Sequence, residues 1–192
     1  IDFQLIPGTA LTGTVYATDG TTPIDGSLYL TGVCASVENF ADRFCSNSTT
    51  DGTYSIHLPS ETFFIEAFTD DHITEWWTAG ASVRERDDAQ AISLDDRYTV
   101  SGIDFQLERG VTVSGTVYHE DGATPVAGDP LIEAGFVRNN PCISQGSDFG
   151  GPINTDGNFS YLVEPGTYYL KLSAQNFIDA FWASSESVYS CK

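Results

Sequence analysis

The chain has 192 residues, with 27 Asp plus Glu against 8 Lys plus Arg and a formal net charge of −19. Charged residues make up 18% and apolar ones 41%, a balance that folds rather than stays disordered, and the length allows one large or two ordinary domains. So acidic a surface repels phosphate backbones and anionic headgroups, which argues against nucleic-acid and membrane-surface partners. No apolar run nears the roughly 18 residues of a membrane helix, and the opening IDFQLIPG has neither the charged start nor the apolar core of a signal peptide. The expectation is a soluble, mature or excised segment.

Composition points to strands and turns: Gly 18, Pro 8, Tyr 9, Phe 12 and no Met. From the first residue, Ile1, Phe3 and Leu5 form a short apolar strand edge alternating with Asp2 and Gln4. Asp-Gly turns are expected at Asp19, Asp51, Asp121 and Asp156, two of them followed by Thr-Pro. Ile1 to Gly26 returns as Ile103 to Gly128, with 15 of 26 positions identical at an offset of 102. Thr50 to Leu58 returns from Thr155 at an offset of 105, and Trp77 returns as Trp182. A repeat near 100 residues exceeds a solenoid unit and marks two domains.

Within a repeat the periodicity is two. Val111, Val113 and Val117 alternate with Thr112, Ser114 and Thr116, which reads as a half-buried strand. Tyr168, Leu170 and Leu172 match Phe63, Ile65 and Ala67 as inward positions, leaving Tyr169 and Phe64 outward. About seven short strands per repeat predict an all-β chain of two tandem sandwiches.

The order G-x-V-x-G-T-V, D-G-x-T-P-V-x-G, T-D-G-x-[YF], L-x-x-G-T-Y-x-L, an aromatic [FW]-W and GIDFQL resembles the carboxypeptidase regulatory-like, transthyretin-like (Ig-like) β-sandwich family, twice over nearly the whole chain. The resemblance implies tandem modules of secreted and cell-surface proteins, without catalytic activity. A related adhesin domain type carries a Lys-to-Asn isopeptide bond; the only lysines here are Lys171 and Lys192, so the first repeat has no donor. The resemblance also makes GIDFQL the last strand of a unit. The chain then divides into an orphan strand over 1–5, a first sandwich over 6–107 and a second over 108–192 that lacks its final strand. Two explanations fit. Either the chain is a window from a longer tandem array, or Ile1, Phe3 and Leu5 of one subunit enter the open second sandwich of the next. The second, heterologous and unclosed, builds a head-to-tail homopolymer.

Enzymatic motifs are missing: His57, His72 and His119 fall in unrelated places and read as surface residues, and neither His57 nor His119 recurs in the other repeat. No cofactor is expected. The acid pairs Asp70–Asp71, Asp87–Asp88 and Asp95–Asp96 offer at most weak calcium sites and read as solvated loops. Trp77 and Trp182 are expected to seal the ends of their sandwiches, with Trp76 and Phe181 beside them. The alternative function is a carbohydrate-binding or accessory module of a larger secreted protein, with Trp76 or Tyr169 meeting a glycan. Four cysteines fit an oxidising, extracellular setting, although the count permits three pairings and also free thiols. Cys34 and Cys45 are expected to bridge within one loop, leaving Cys142 for Cys191, or Cys191 for a link between subunits. Asn47 and Asn158 head glycosylation sequons.

Overall fold

The computed structural model describes residues 2, 4, 7–27, 31–39, 41–94, 99–126, 132–138, 149–174, 178–183 and 186–188. They form an all-β protein whose regular elements, apart from one 3₁₀ turn at Arg86–Asp88, are strands. The chain divides into two compact units, Ile1–Val111 and Thr112–Lys192.

In the first unit, β1 (Thr9–Ala17), β2 (Gly32–Ser36), β3 (Arg43–Asn47), β4 (Thr53–Leu58), β5 (Thr62–Phe68), β6 (Glu75–Thr78), β7 (Ala81–Val83), β8 (Ile92–Ser93) and β9 (Phe105–Leu107) succeed one another. Alternation decides which face each strand buries. Tyr54, Ile56 and Leu58 of β4 point inward while Thr53, Ser55 and His57 face solvent. Phe63, Ile65 and Ala67 of β5 are fully buried, as their spacing predicts. One sheet has the order β4-β1-β9, and the other β3-β2-β5-β6-β7 with β8 alongside β5. Their inner faces share one core, in which Leu11, Val15 and Phe105 meet Val33, Phe63 and Ile65, and that makes a sandwich.

β1 pairs antiparallel with β4, Leu11 opposite Ile56, and parallel with β9, Val15 opposite Phe105. The sequence GIDFQL therefore closes the first unit as a parallel strand. That pairing requires a long crossover, which the segment carrying β2 to β8 supplies. The closing segment is held from both sheets: Ile103 N–H, just before β9, donates to Thr12 O at 3.2 Å, and Gln106 N–H of β9 donates to Ser82 Oγ of β7 at 3.0 Å.

The Asp-Gly turns are built as expected, with Gly20, Gly52, Gly122 and Gly157 at φ of 67, 74, 66 and 83°. Asp19 accepts from the N–H groups of Thr21 and Thr22 and from the Thr22 hydroxyl, and Asp121 does the same with Ala123 and Thr124. These bonds, the threonine hydroxyl first, hold both carboxyls at about 2.

Cys34 and Cys45 are disulfide-bonded. They do not sit in a loop: they are directly opposed in the β2–β3 hairpin, with Cα atoms 4.1 Å apart. Hairpin register, invisible in the spacing, makes the pair. Reduction is expected to lower the unit's stability by about 3 kcal/mol, the value for a short closed loop, seen as an earlier thermal transition in reductant.

The second unit begins within β10 (Val111–Thr116) and runs through β11 (Ile132–Val137), β12 (Phe149–Pro152), β13 (Asn158–Val163), β14 (Tyr169–Ala174), β15 (Ala180–Ala183) and β16 (Glu186–Val188). β10 pairs with β13, and the other sheet has the order β12-β11-β14-β15-β16. Val117 and Phe159 from one side meet Ile132, Ala134, Leu170 and Leu172 from the other, a second and thinner sandwich core.

Candidate functional site

The repeats allow each position of the second unit to be compared with its counterpart in the first. β1 runs for nine residues, and its last three, Val15, Tyr16 and Ala17, are those paired with β9. Their counterparts are Val117, Tyr118 and His119. β10 stops at Thr116, after six residues, so the stretch that β9 would hold is not strand. A strand edge without a partner loses the hydrogen bonds that define it. Among the described residues, no strand pairs with that edge of β10.

That edge, unpaired among the described residues, borders a groove of about 900 Å³. Its wall is β10 from Val113 onward, its floor is Phe136, Leu170 and Leu172, and Phe159 lies at its base. The corresponding space in the first unit is filled by Ile103, Phe105 and Leu107, each at most 5% exposed. Uncovered, the second unit's apolar side chains remain in contact with solvent: Leu170 and Leu172 are half-buried where Ile65 and Ala67 are fully buried.

Gly13 and Gly115 occupy matching places. A Cβ on Gly13 would lie 1.9 Å from the Ile103 carbonyl oxygen, so the closing strand's backbone uses the space glycine leaves. A Cβ on Gly115 would have the ring of Phe159 as its nearest neighbour, at 2.7 Å. A second difference lies beside it. The buried Tyr54 hydroxyl donates to Ile103 O at 2.6 Å, and burial first, then the charge of Asp104, drives that phenol's pKa upward. Its counterpart in the second unit is Phe159, which has no hydroxyl.

The other candidate residues are dispersed. Ile1, Phe3, Leu5, Cys142, Cys191, Asp95 and Asp96 lie outside the described residues. Asn47 is exposed on β3. Asn158 is half-buried; its amide nitrogen donates to Asp156 at 2.9 Å and its oxygen accepts from the Thr116 hydroxyl at 2.6 Å. His57 and His119 are exposed, but His72 is buried, contrary to the surface reading. Its Nδ1 lies 2.6 Å from Asp71 and 3.1 Å from the Thr69 hydroxyl, and Arg109 contacts the same carboxylate at 3.3 Å. This cluster ties the 69–72 turn to the segment after β9. Among the described residues no group of three or more His, Cys, Asp or Glu is placed to hold a metal ion.

The two matching tryptophans have different surroundings. Trp77 packs against the first core from the inner face. Trp76 is buried on the outer face, beneath the Arg86 guanidinium, which lies 5.7 Å from its ring and 4.3 Å from that of Phe64. Trp182, the counterpart of Trp77, is 63% exposed at the rim of the groove and seals nothing.

No protein-family model matches this chain, and no curated protein matches it. Among solved structures it is similar to the TIE protein of Bacillus anthracis, at 16% identity and a TM-score of 0.35 over 88% of this chain and 28% of that one. It is similar to an adhesin candidate from Bacteroides ovatus, at 11% identity and a TM-score of 0.36 over 92% and 82% of the two chains. A carbohydrate-binding candidate from Bacteroides uniformis gives 12% identity and a TM-score of 0.34 over 93% and 92%. Likenesses this distant bear on neither ligand nor role.

Proposed function

We propose that the chain is a structural, non-enzymatic module of an extracellular or cell-surface fibre, joined head to tail by donation of residues 1–5 to the open second sandwich of a neighbour. The observation that carries this reading is the groove along β10, shaped as the place that Ile103 to Leu107 fill in the first unit. The sequence IDFQL occurs twice, at 1–5 and at 103–107, identical at all five positions. A strand that suits one groove suits its counterpart. Main-chain hydrogen bonds to β10 supply affinity, and apolar side chains in the groove supply selectivity. The contact is heterologous, so it propagates instead of closing. The Cys34–Cys45 disulfide and the acidic surface suit an oxidising exterior.

The test is the size distribution of the intact chain by light scattering, beside a variant lacking residues 1–5. Long polymers of the intact chain and monomers of the truncated one are expected. Monomers in both, with the second unit readily proteolysed, would mean that the groove belongs to a following segment of a longer chain.

A second reading has its own observation. Trp182 and Tyr118 are 63% and 49% exposed and line the same groove, each an aromatic face of the kind on which a sugar ring stacks. Saturable binding of a polysaccharide that is lost in Trp182→Ala would favour it over a purely structural role.

A further inference from the structure

We infer that the groove receives residues 1–5 of a second copy parallel to β10, with Phe3 opposite Val117, and that Phe159 sets how tightly the strand is held. This rests on the strand-donation reading and adds to it an orientation, a register and a residue that tunes affinity.

Orientation and register come from the first unit. There Phe105 is opposite Val15 and Leu107 opposite Ala17, in parallel. Transferred by the repeat, Phe3 falls opposite Val117 and Leu5 opposite His119. The carbonyl of residue 1 then falls where that of Ile103 lies, in the space above Gly115. Asp2 takes the place of Asp104, whose carboxylate accepts from Thr14 N–H at 2.9 Å; the matching donor is Thr116 N–H. One partner of the cis strand is missing. The Tyr54 hydroxyl satisfies the Ile103 carbonyl, whereas Phe159 offers no donor to the carbonyl of residue 1. A buried carbonyl left unpaired weakens the complex. The same five residues are therefore held more loosely between copies than within one chain. The junction is the weak, exchangeable bond of the assembly, and the first unit is its permanent segment.

The test uses the full chain carrying Phe3→Asp, which removes its own donor strand, with and without Phe159→Tyr. The probe is a fluorescent peptide of residues 1–8, titrated by anisotropy. Phe159→Tyr is expected to lower its Kd about tenfold, the effect of one added neutral hydrogen bond. A peptide starting at Asp2 lacks the carbonyl and should bind both chains equally. An unchanged or higher Kd for the long peptide, or an equal gain for the short one, overturns the role of Phe159. Isotope-edited infrared of the residue 1 carbonyl gives a readout that needs no second variant. On the Phe159 chain the band should stay at the frequency of an unbonded carbonyl, and a downshifted band overturns the inference. If the peptide binds neither chain while both are folded by circular dichroism, strand donation itself fails, and the inference with it.

Discussion

Replacing Phe105 with alanine is expected to destabilise the first unit by about 3–5 kcal/mol, the range for removing a fully buried phenylalanine. Phe105 is 1% exposed, and its ring lies 6.4 Å from that of Tyr54 against Leu11 and Val15. Much of its stabilisation comes through a strand of only three residues, so losing the ring also weakens the pairing of Val15 to Ala17. Urea unfolding followed by fluorescence of Trp76 and Trp77 reads the change. The expected end state resembles the second unit as it stands: β1 shortened at its C-terminal end and the inner faces of β4 and β5 wetted. A loss below 1 kcal/mol would mean that the first core does not depend on its closing strand.

Much of this arrangement was legible from residues alone. The place of GIDFQL as a closing strand comes from the family resemblance, whereas the duplication, the all-β class and the inward set Phe63, Ile65 and Ala67 come from identity and period-two alternation. Both are local properties, set by backbone geometry that repeats every two residues. The features hidden from that reading depend on which strands lie side by side. Cys34 and Cys45 look like a loop pair until the β2–β3 register sets them opposite each other. His72 looks like a surface residue until Asp71, Thr69 and the strand bridge to Arg109 enclose it. Trp77 and Trp182 look equivalent, yet burial depends on what covers the strand, and the groove beside Trp182 is open. Tyr54 and Phe159 stand at one position of the T-D-G-x-[YF] pattern, and the sequence alone gives their difference no weight. Its meaning required the 2.6 Å contact with Ile103, which lies 49 residues from Tyr54.

The two matching glycines give the sharpest separation between the units. In the first, Gly13→Val places branched carbon where the Ile103 carbonyl oxygen lies 1.9 Å from even a bare Cβ. Backbone cannot rotate aside as a side chain does, so β9 must leave its place. The expected loss is about 3 kcal/mol, at the upper end for overpacking, and the displaced strand should appear as new proteolysis between Ser101 and Arg109. In the second unit, Gly115→Ala meets the Phe159 ring first, at 2.7 Å. That ring can tilt toward the open groove, so a cost of about 1 kcal/mol is expected. The same methyl group nevertheless occupies the space that a donated strand's carbonyl needs. Under strand donation, Gly115→Ala should keep the second unit folded, by its urea midpoint, while light scattering shows monomers. If Gly115→Ala polymerises like the parent chain, no backbone approaches that glycine in the assembly, and the groove is not where the donated strand lies.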